Sequence, residues 1–206
     1  MFAISQAEVT PPATYQTSLL ASGAPEIPRT LRRLDRLELG RGAWIDWASD
    51  WLGGSDHWFH RLATELPWQA ASRPMYDRVV DVPRLICNFD GPDTPSEFSH
   101  IADLLDAHYG RRFSRMGANW YRDGRDSVAP HADKVPNTGD AIIAIVAVGE
   151  RRPFVLRPLG GPGPTQRYQF GRGDLLVMGG TTQSYWQHGV PKVSGPAARI
   201  SLMFRA

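Results

Sequence analysis

Short apolar runs separated by Gly and Pro fill the second half of the chain. The runs have the length and the β-branched or aromatic content of strands, and they cover residues 114–121, 141–148, 153–157, 167–170, 174–178, 184–188 and 198–204. No helical segments alternate with them, which argues against a βαβ arrangement and favours two packed sheets. The pattern predicts an α+β, mainly β domain with a jelly-roll core.

Helical spacing occurs in the first half of the chain instead. Tryptophans recur at i, i+3 and i+7 within residues 43–52, at Trp44, Trp47 and Trp51. This stripe predicts a helix. A second predicted helix has Ser55 as its N-cap and runs to residue 66, and a third covers residues 96–109 and ends at Gly110. We expect these N-terminal helices to flank the jelly roll on its outside.

The composition divides the chain near residue 40. Residues 1–28 are rich in Pro, Ser, Thr and Ala, so we expect a mobile or irregular N-terminal arm over residues 1–40 and one domain over 41–206. Within that domain, residues 68–92 have an extended pattern with a tight hairpin near residues 76–79. The jelly-roll core is expected over residues 114–206.

Length, charge and cysteine content indicate what kind of protein this is. A chain of 206 residues with 42% hydrophobic residues can build a solid core, and its net charge of +2 is too small to indicate nucleic-acid binding by itself. The lone cysteine, Cys87, fits a reducing compartment. Because neither a leader-like apolar stretch nor a run of ~20 apolar residues is visible, we expect a cytoplasmic protein without membrane contact. We also expect a monomer.

The clearest chemistry lies at His131 and Asp133, which stand two positions apart. On an extended backbone both side chains leave the same face and can reach one point. His188, on a distant predicted strand, supplies a third ligand. Two imidazoles and one carboxylate on one side of an octahedral ion leave coordination positions open, which is the arrangement of non-haem Fe(II) oxygenases.

Two arginines follow on the last predicted strand. Arg199 and Arg205 share a strand face with Ser201. Charged side chains on an exposed strand usually contribute little to stability. A pair of arginines that closely follows a predicted metal-binding histidine, however, is suited to bind a dicarboxylate.

These elements stand in a characteristic order, which is Asn119-x-Tyr121, His131-x-Asp133, His188 and Arg199-x5-Arg205. The order resembles that of the AlkB family of 2-oxoglutarate- and Fe(II)-dependent dioxygenases, over about residues 42–206. The resemblance implies a double-stranded β-helix with Fe(II), 2-oxoglutarate and O2 as cofactors, and it makes the two histidines and Asp133 the iron ligands. It also implies that Arg199, with Tyr121 and Ser201, binds the distal carboxylate of 2-oxoglutarate. Arg205 and Asn119 then hold the end that chelates iron.

Residues 83–89 resemble the substrate-lid segment of the animal DNA- and RNA-repair members of that family. By this resemblance Arg84 and Phe89 are substrate residues, and Phe89 stacks on an extruded base that lies against His131. Tyr76, at the hairpin tip, fills the gap that the base leaves. The alternative for Phe89 is an ordinary core residue.

The implied activity is oxidative demethylation of 1-methyladenine and 3-methylcytosine in DNA, preferably single-stranded. One departure leaves the base preference open, because Val135 stands where many repair members carry an acidic residue that contacts the base. RNA, a methylated protein or a small molecule are alternative substrates for the same iron chemistry. A jelly roll that binds nucleic acid without catalysis is the alternative from another class.

Overall fold

The structure is a computed structural model that describes most of the chain. The described residues are 3–6, 23–31, 33–75, 78–89, 94–134, 141–160, 163–195 and 197–206. Side chains are described in these ranges except at residues 3–6, 73–75 and 78–81. Two of the predicted substrate residues, Tyr76 and Val135, lie outside the described residues, so their roles stay predictions.

Strands dominate the described ranges. In chain order the elements are β1 Ala3–Gln6, β2 Asp35–Gly40, β3 Ala43–Ala48, α1 Ser55–Glu65, β4 Gln69–Met75, β5 Arg78–Phe89, α2 Ser96–Tyr109, β6 Arg115–Tyr121, β7 Val128–His131, β8 Ile143–Gly149, β9 Arg152–Pro158, β10 Gln166–Phe170, β11 Asp174–Gly180, α3 Thr182–Tyr185, β12 Trp186–Val190 and β13 Arg199–Arg205. None of these helices has both the length and the apolar character that a membrane crossing needs.

The strands form two antiparallel sheets that pack face to face. The larger sheet has the order β1-β4-β5-β6-β13-β8-β11-β3-β2, and the smaller has the order β10-β9-β12-β7. Apolar side chains of both sheets, among them Ile145, Leu176, Phe154 and Phe170, fill the space between them. This arrangement confirms the predicted jelly-roll core.

A second apolar layer covers the opposite face of the larger sheet, where α1 and α2 pack. The central strand β8 is buried along its whole length, because helices cover one of its faces and the smaller sheet covers the other. The alternation predicted for the last strand is also confirmed. Ile200, Leu202 and Phe204 of β13 join the helix-side core, whereas Arg199 and Ser201 face the space between the sheets.

The N-terminal part of the domain differs from the prediction. The helix predicted over residues 43–52 is wrong, because residues 43–48 are the strand β3, which pairs with both β2 and β11. Strand β2 itself falls within residues 1–40, where an irregular arm was expected. The helix α1 is confirmed, but its N-cap is Gly54 in the left-handed conformation (φ 67°), and the Ser55 hydroxyl caps nothing.

The predicted hairpin is confirmed by the antiparallel pairing of Met75 with Arg78 between β4 and β5. Alternation along β5 then separates two sets of side chains. Val82, Arg84, Ile86 and Asn88 line the cavity between the sheets, whereas Leu85, Cys87 and Phe89 are buried on the helix side.

The stacking role predicted for Phe89 is therefore wrong. Its side chain is 5% exposed and contacts Phe98 of α2, with the ring centroids 4.6 Å apart. Residues 84 and 89 are five positions apart, so an extended strand sends them to opposite faces. Phe89 is a core residue that fixes α2 to the sheet.

Replacement of Phe89 by alanine is expected to lower the free energy of unfolding by about 3–5 kcal/mol, because it removes a buried aromatic ring from a close-packed layer. Urea denaturation measures the loss. Asn88→Ala, at the exposed neighbouring position, serves as the control and should change stability by less than about 1 kcal/mol. A Phe89→Ala protein with unchanged stability would show that the ring is not part of the core.

Candidate metal and cosubstrate site

A cavity of about 530 Å³ lies between the two sheets. This volume is in the range of small-ligand sites. Its lining comes from the β4–β5 hairpin, the central strands of the larger sheet, and the strands β7, β9 and β12 of the smaller sheet. The polar side chains that line it are Arg84, Asn88, Asn119, Tyr121, His131, Asp133, His188, Arg199, Ser201 and Arg205. The structure therefore collects all five predicted cosubstrate residues and all three predicted metal ligands.

Strand pairing brings the three predicted metal ligands together. His131 ends β7 and is the register partner of His188 on β12, and their ring centroids are 4.4 Å apart. Asp133 follows two residues later, and its Oδ1 lies 3.2 Å from His131 Nε2 and 3.9 Å from His188 Nε2. One ligand atom from each residue lies within 4.8 Å of the others. This donor set is the one predicted, and it fits a divalent iron with open positions.

Neighbouring groups fix the orientation of the ligands. The backbone carbonyl of Ala129 lies 3.0 Å from His131 Nδ1, so that nitrogen donates a hydrogen bond and Nε2 is left to face Asp133. The backbone N–H of Asp133 donates to Oε1 of Gln183, a buried residue of α3, over 2.9 Å. Sequence reasoning missed Gln183, because nothing in a one-turn helix signals a contact with a loop fifty residues away.

The charges at the site favour the metal-binding forms of His188 and Asp133. Burial, together with the charge of His131, lowers the pKa of His188 to about 4, so this imidazole is neutral at neutral pH. The hydrogen bond to Asp133 raises the pKa of His131, against burial and the charge of Arg84. Burial alone would raise the pKa of Asp133, but the hydrogen bond from His131 and the charge of Arg205 hold it well below its ordinary value. A carboxylate and a neutral imidazole are the forms that bind metal.

Arg205 has a role that the prediction did not include. Its Nε donates to Asp133 Oδ2 over 2.8 Å, and this leaves Oδ1 to face the two histidines. Asn119, which was predicted to share the chelated end of the cosubstrate with Arg205, lines the same cavity and lies 3.1 Å from the sulfur of Met203. Arg205 thus contacts a metal ligand directly, and Asn119 lines the same cavity.

Arg199 is a buried cation without an anionic partner in the described part of the chain. It is 1% exposed, its Nη1 donates to the Phe170 carbonyl over 3.1 Å, and its Nε has no partner. The nearby Ser201 hydroxyl is also buried and unpaired. Burial lowers the pKa of Arg199 to about 10. Such a group is costly unless an anion completes it, so the cavity fits a ligand carboxylate at this end.

Tyr121 lies between Arg199 and a second buried arginine that sequence reasoning missed. The guanidinium carbons of Arg199 and Arg152 are 5.0 and 5.3 Å from the Tyr121 ring centroid. Arg152 donates to the backbone carbonyls of Asp123, Asp126 and Pro191, and it thereby joins the loops around the site. A charged residue at the start of an apolar strand was the only sequence signal for it.

The chain matches known proteins in both sequence and fold. Residues 86–205 match the family model of the 2OG-Fe(II) oxygenase superfamily. The chain is 30% identical over 179 residues to alpha-ketoglutarate-dependent dioxygenase alkB homolog 3 of Bos taurus, with 75% of this chain and 62% of that protein covered. It is 29% identical over 233 residues to DNA oxidative demethylase ALKBH2 of Arabidopsis thaliana, with 92% and 74% covered. The chain thus spans less than two thirds of the length of the alkB homolog 3 relatives.

Among solved structures, that of OsALKBH1 has the same fold. The TM-score is 0.58 at 15% identity, and the match covers 83% of this chain and 99% of that one. Two histidines on adjoining strands of a jelly roll, with an aspartate just beyond one of these strands, form the ligand set of a non-haem iron oxygenase. The chain belongs to the 2OG-Fe(II) oxygenase superfamily, and within that superfamily it is similar to members of the AlkB family.

The family implies Fe(II), 2-oxoglutarate and O2, and the residues present fit them. His131, Asp133 and His188 would hold the iron, and Arg199 with Ser201 would bind the distal carboxylate of 2-oxoglutarate. When these groups are bound, the iron supplies an oxidation that is coupled to decarboxylation of the cosubstrate. Arg205 keeps Asp133 ionised and oriented, and Ile143, Ile145 and Val190 form apolar walls of the cavity.

Gln183→Ala is expected to weaken Fe(II) binding by about 10–100-fold, because the loop that carries Asp133 loses its anchor. Anaerobic titration of Fe(II) into the metal-free protein measures the affinity. Gln187→Ala is a matched control, since the Gln187 side chain instead pairs with exposed Arg157. Equal affinities for the two variants would contradict the role of Gln183.

Arg199→Ala is expected to raise the KM for 2-oxoglutarate by about 30–150-fold, the factor for a lost charge-assisted hydrogen bond. Iron affinity should change far less. Arg199→Met keeps the volume of the side chain and removes an unpaired buried charge, so it should fold at least as stably as the wild type. An unchanged KM in both variants would place the distal carboxylate elsewhere.

Proposed function

We propose that the protein removes N-linked alkyl groups from the bases of nucleic acid by oxidation, coupled to decarboxylation of 2-oxoglutarate. One observation carries the proposal. The same cavity contains the metal ligands and the unpaired Arg199 at one end and residues of the β4–β5 hairpin, such as Arg84 and Asn88, at the other. A cosubstrate and a second, base-sized group therefore both have room beside the metal. The names of the AlkB relatives support the choice of reaction.

A base must leave its stack to reach this site. The side chains of Asp133 and His188 are 14% and 8% exposed, so the reacting group has to enter the cavity. Extrusion costs least for a base that is already unpaired, which favours single-stranded DNA. The low net charge of +2 agrees with this preference, because tight non-specific binding to duplex DNA needs many phosphate contacts.

The proposed placement of the base is against His131. This side chain is 41% exposed and lines the cavity, so one face of the imidazole is open to a planar ligand. Phe89 is not on this side of β5. The hairpin side chains of the described part that line the cavity are aliphatic or polar, so the opposite wall offers van der Waals contact by Val82 and Ile86 rather than an aromatic stack.

The deciding experiment uses iron-loaded protein, 2-oxoglutarate and single-stranded oligonucleotides that each carry one methylated base. The lesions are 1-methyladenine and 3-methylcytosine, which the family resemblance implies, and 3-methylthymine. The expected result is loss of one methyl mass, with an equal amount of formaldehyde released and succinate formed. His188→Ala and the unmethylated oligonucleotide are the controls, and both should give no formaldehyde.

The same lesions in RNA form a second arm of the experiment. If no oligonucleotide loses a methyl group while 2-oxoglutarate is still consumed, the nucleic-acid substrate has to be abandoned. The oxygenase chemistry would then act on a methylated protein or a small molecule.

A further inference from the structure

The strand pair that carries the two histidines is short. β7 has four residues and lies at the edge of the smaller sheet. Its register pairs with β12 are His131–His188 and Val128–Val190, and the register is irregular between them. Pro130, within β7, has no N–H to donate to the ladder. The strands alone therefore specify only weakly the pairing that the metal site requires.

β12 contributes no side chain to the middle of this ladder. A Cβ at Gly189 would lie 2.9 Å from Pro130 N and 3.0 Å from Val128 O, so only glycine allows the two backbones to approach this closely. Side-chain packing against a partner strand is what normally resists a slip of one residue. Contacts from outside the two strands therefore contribute to their register.

Arg152, at the start of β9, connects the two strands just beyond their last register pair. Its Nη2 donates to the Asp126 carbonyl over 2.7 Å and to the Pro191 carbonyl over 3.0 Å. Asp126 comes two residues before Val128, and Pro191 directly follows Val190. One nitrogen thus bridges the segment that enters β7 and the segment that leaves β12.

The bridge joins groups that are held in place. Arg152 is 0% exposed, and its Nη1 donates to the Asp123 carbonyl over 2.9 Å. The Asp126 carboxylate accepts from the backbone N–H and from the guanidinium of Arg122, which fixes the loop between β6 and β7. This loop also forms backbone hydrogen bonds, through Gly124, with the loop that follows β12. The carbonyls that Arg152 binds therefore have fixed positions.

We propose that Arg152 is a positioning residue for the metal, because its bridge fixes the register in which His131 meets His188. Arg152 does not line the cavity, so it acts through the backbone rather than on a ligand. A shift of one residue between β7 and β12 would turn one imidazole to the opposite face of the sheet. A guanidinium suits this role, because its planar fork donates to several acceptors in fixed directions and the ammonium of a lysine does not. The inference concerns the metal site and does not depend on which substrate is oxidised.

A role towards the cosubstrate is the alternative for Arg152. Its guanidinium carbon lies 5.3 Å from the centroid of the Tyr121 ring, and Tyr121 lines the cavity. A residue that acted only through Tyr121 would change the KM for 2-oxoglutarate and leave metal binding unchanged when 2-oxoglutarate is absent. Metal binding without the cosubstrate therefore distinguishes the two roles.

The experiment titrates Fe(II) anaerobically into metal-free Arg152→Met and Arg152→Lys proteins without 2-oxoglutarate, well below the unfolding midpoint of each. Both variants are expected to bind Fe(II) about tenfold or more weakly than the wild type, the size of effect that loss of a supporting contact has at a metal site. Arg157→Met is the matched control, since Arg157 lies on the same strand, is exposed and bonds to Gln187. It should bind as the wild type does. Arg152→Lys keeps the positive charge and provides the test should Arg152→Met not fold.

Two further readouts separate a change of register from a general loss of stability. Amide hydrogen exchange in the Arg152 variants should become faster in β7 and β12, whereas the amides of β8 and β11 should retain their protection. Cobalt(II) at saturating concentration is the second probe, because its visible absorption depends on coordination geometry, and its spectrum should change in both variants. A general loss of stability would lower the unfolding midpoint and leave that spectrum unaltered. Wild-type Fe(II) affinity in either Arg152 variant, or a wild-type cobalt spectrum at saturation, overturns the inference.

Discussion

The site depends on one strand pairing, that of β7 with β12 in the smaller sheet. This pairing makes His131 and His188 register partners, so two imidazoles from distant parts of the chain meet without any contribution from loops. Asp133 lies just beyond the end of β7 and completes the set, with one carboxylate oxygen facing the histidines and the other bonded to Arg205. A shift of one residue in this pairing would turn one imidazole to the opposite face of the sheet and abolish the site.

The second constraint is electrostatic. The jelly roll buries Arg199 behind Tyr121 and leaves it without an anion in the described part of the chain. A folded protein tolerates such a group only at a cost, which a bound carboxylate removes. At the other end of the cavity, Arg84 Nε is also buried without a hydrogen-bond partner.

Much of this arrangement could be predicted from the sequence, because it depends on strand alternation and on local residue order. The alternation of side chains along β13 correctly predicted that Arg199, Ser201 and Arg205 lie on one face. The same rule, applied to β5, would have separated Arg84 from Phe89, which the family resemblance had grouped together. For Phe89, the alternation of side chains along β5 predicted the position better than the family resemblance did.

Other features were out of reach for physical reasons. Trp44 and Trp47 face opposite sides of β3, and because helices cover one side and the smaller sheet covers the other, the strand is apolar on both faces. Its tryptophan spacing then imitates a helical stripe. Gln183 and Arg152 act on backbone groups that are distant in sequence, and such contacts leave no periodic signal.

The central claim is that register pairing of His131 with His188, completed by Asp133, creates one iron site. Its most direct test is the stoichiometry of Fe(II) binding to the metal-free protein under anaerobic conditions, compared with His131→Ala and His188→Ala. We expect one tightly bound iron per chain in the wild type and loss of that binding in each variant, with the fold retained as measured by circular dichroism. Stoichiometric binding of iron with unchanged affinity in either variant would contradict it.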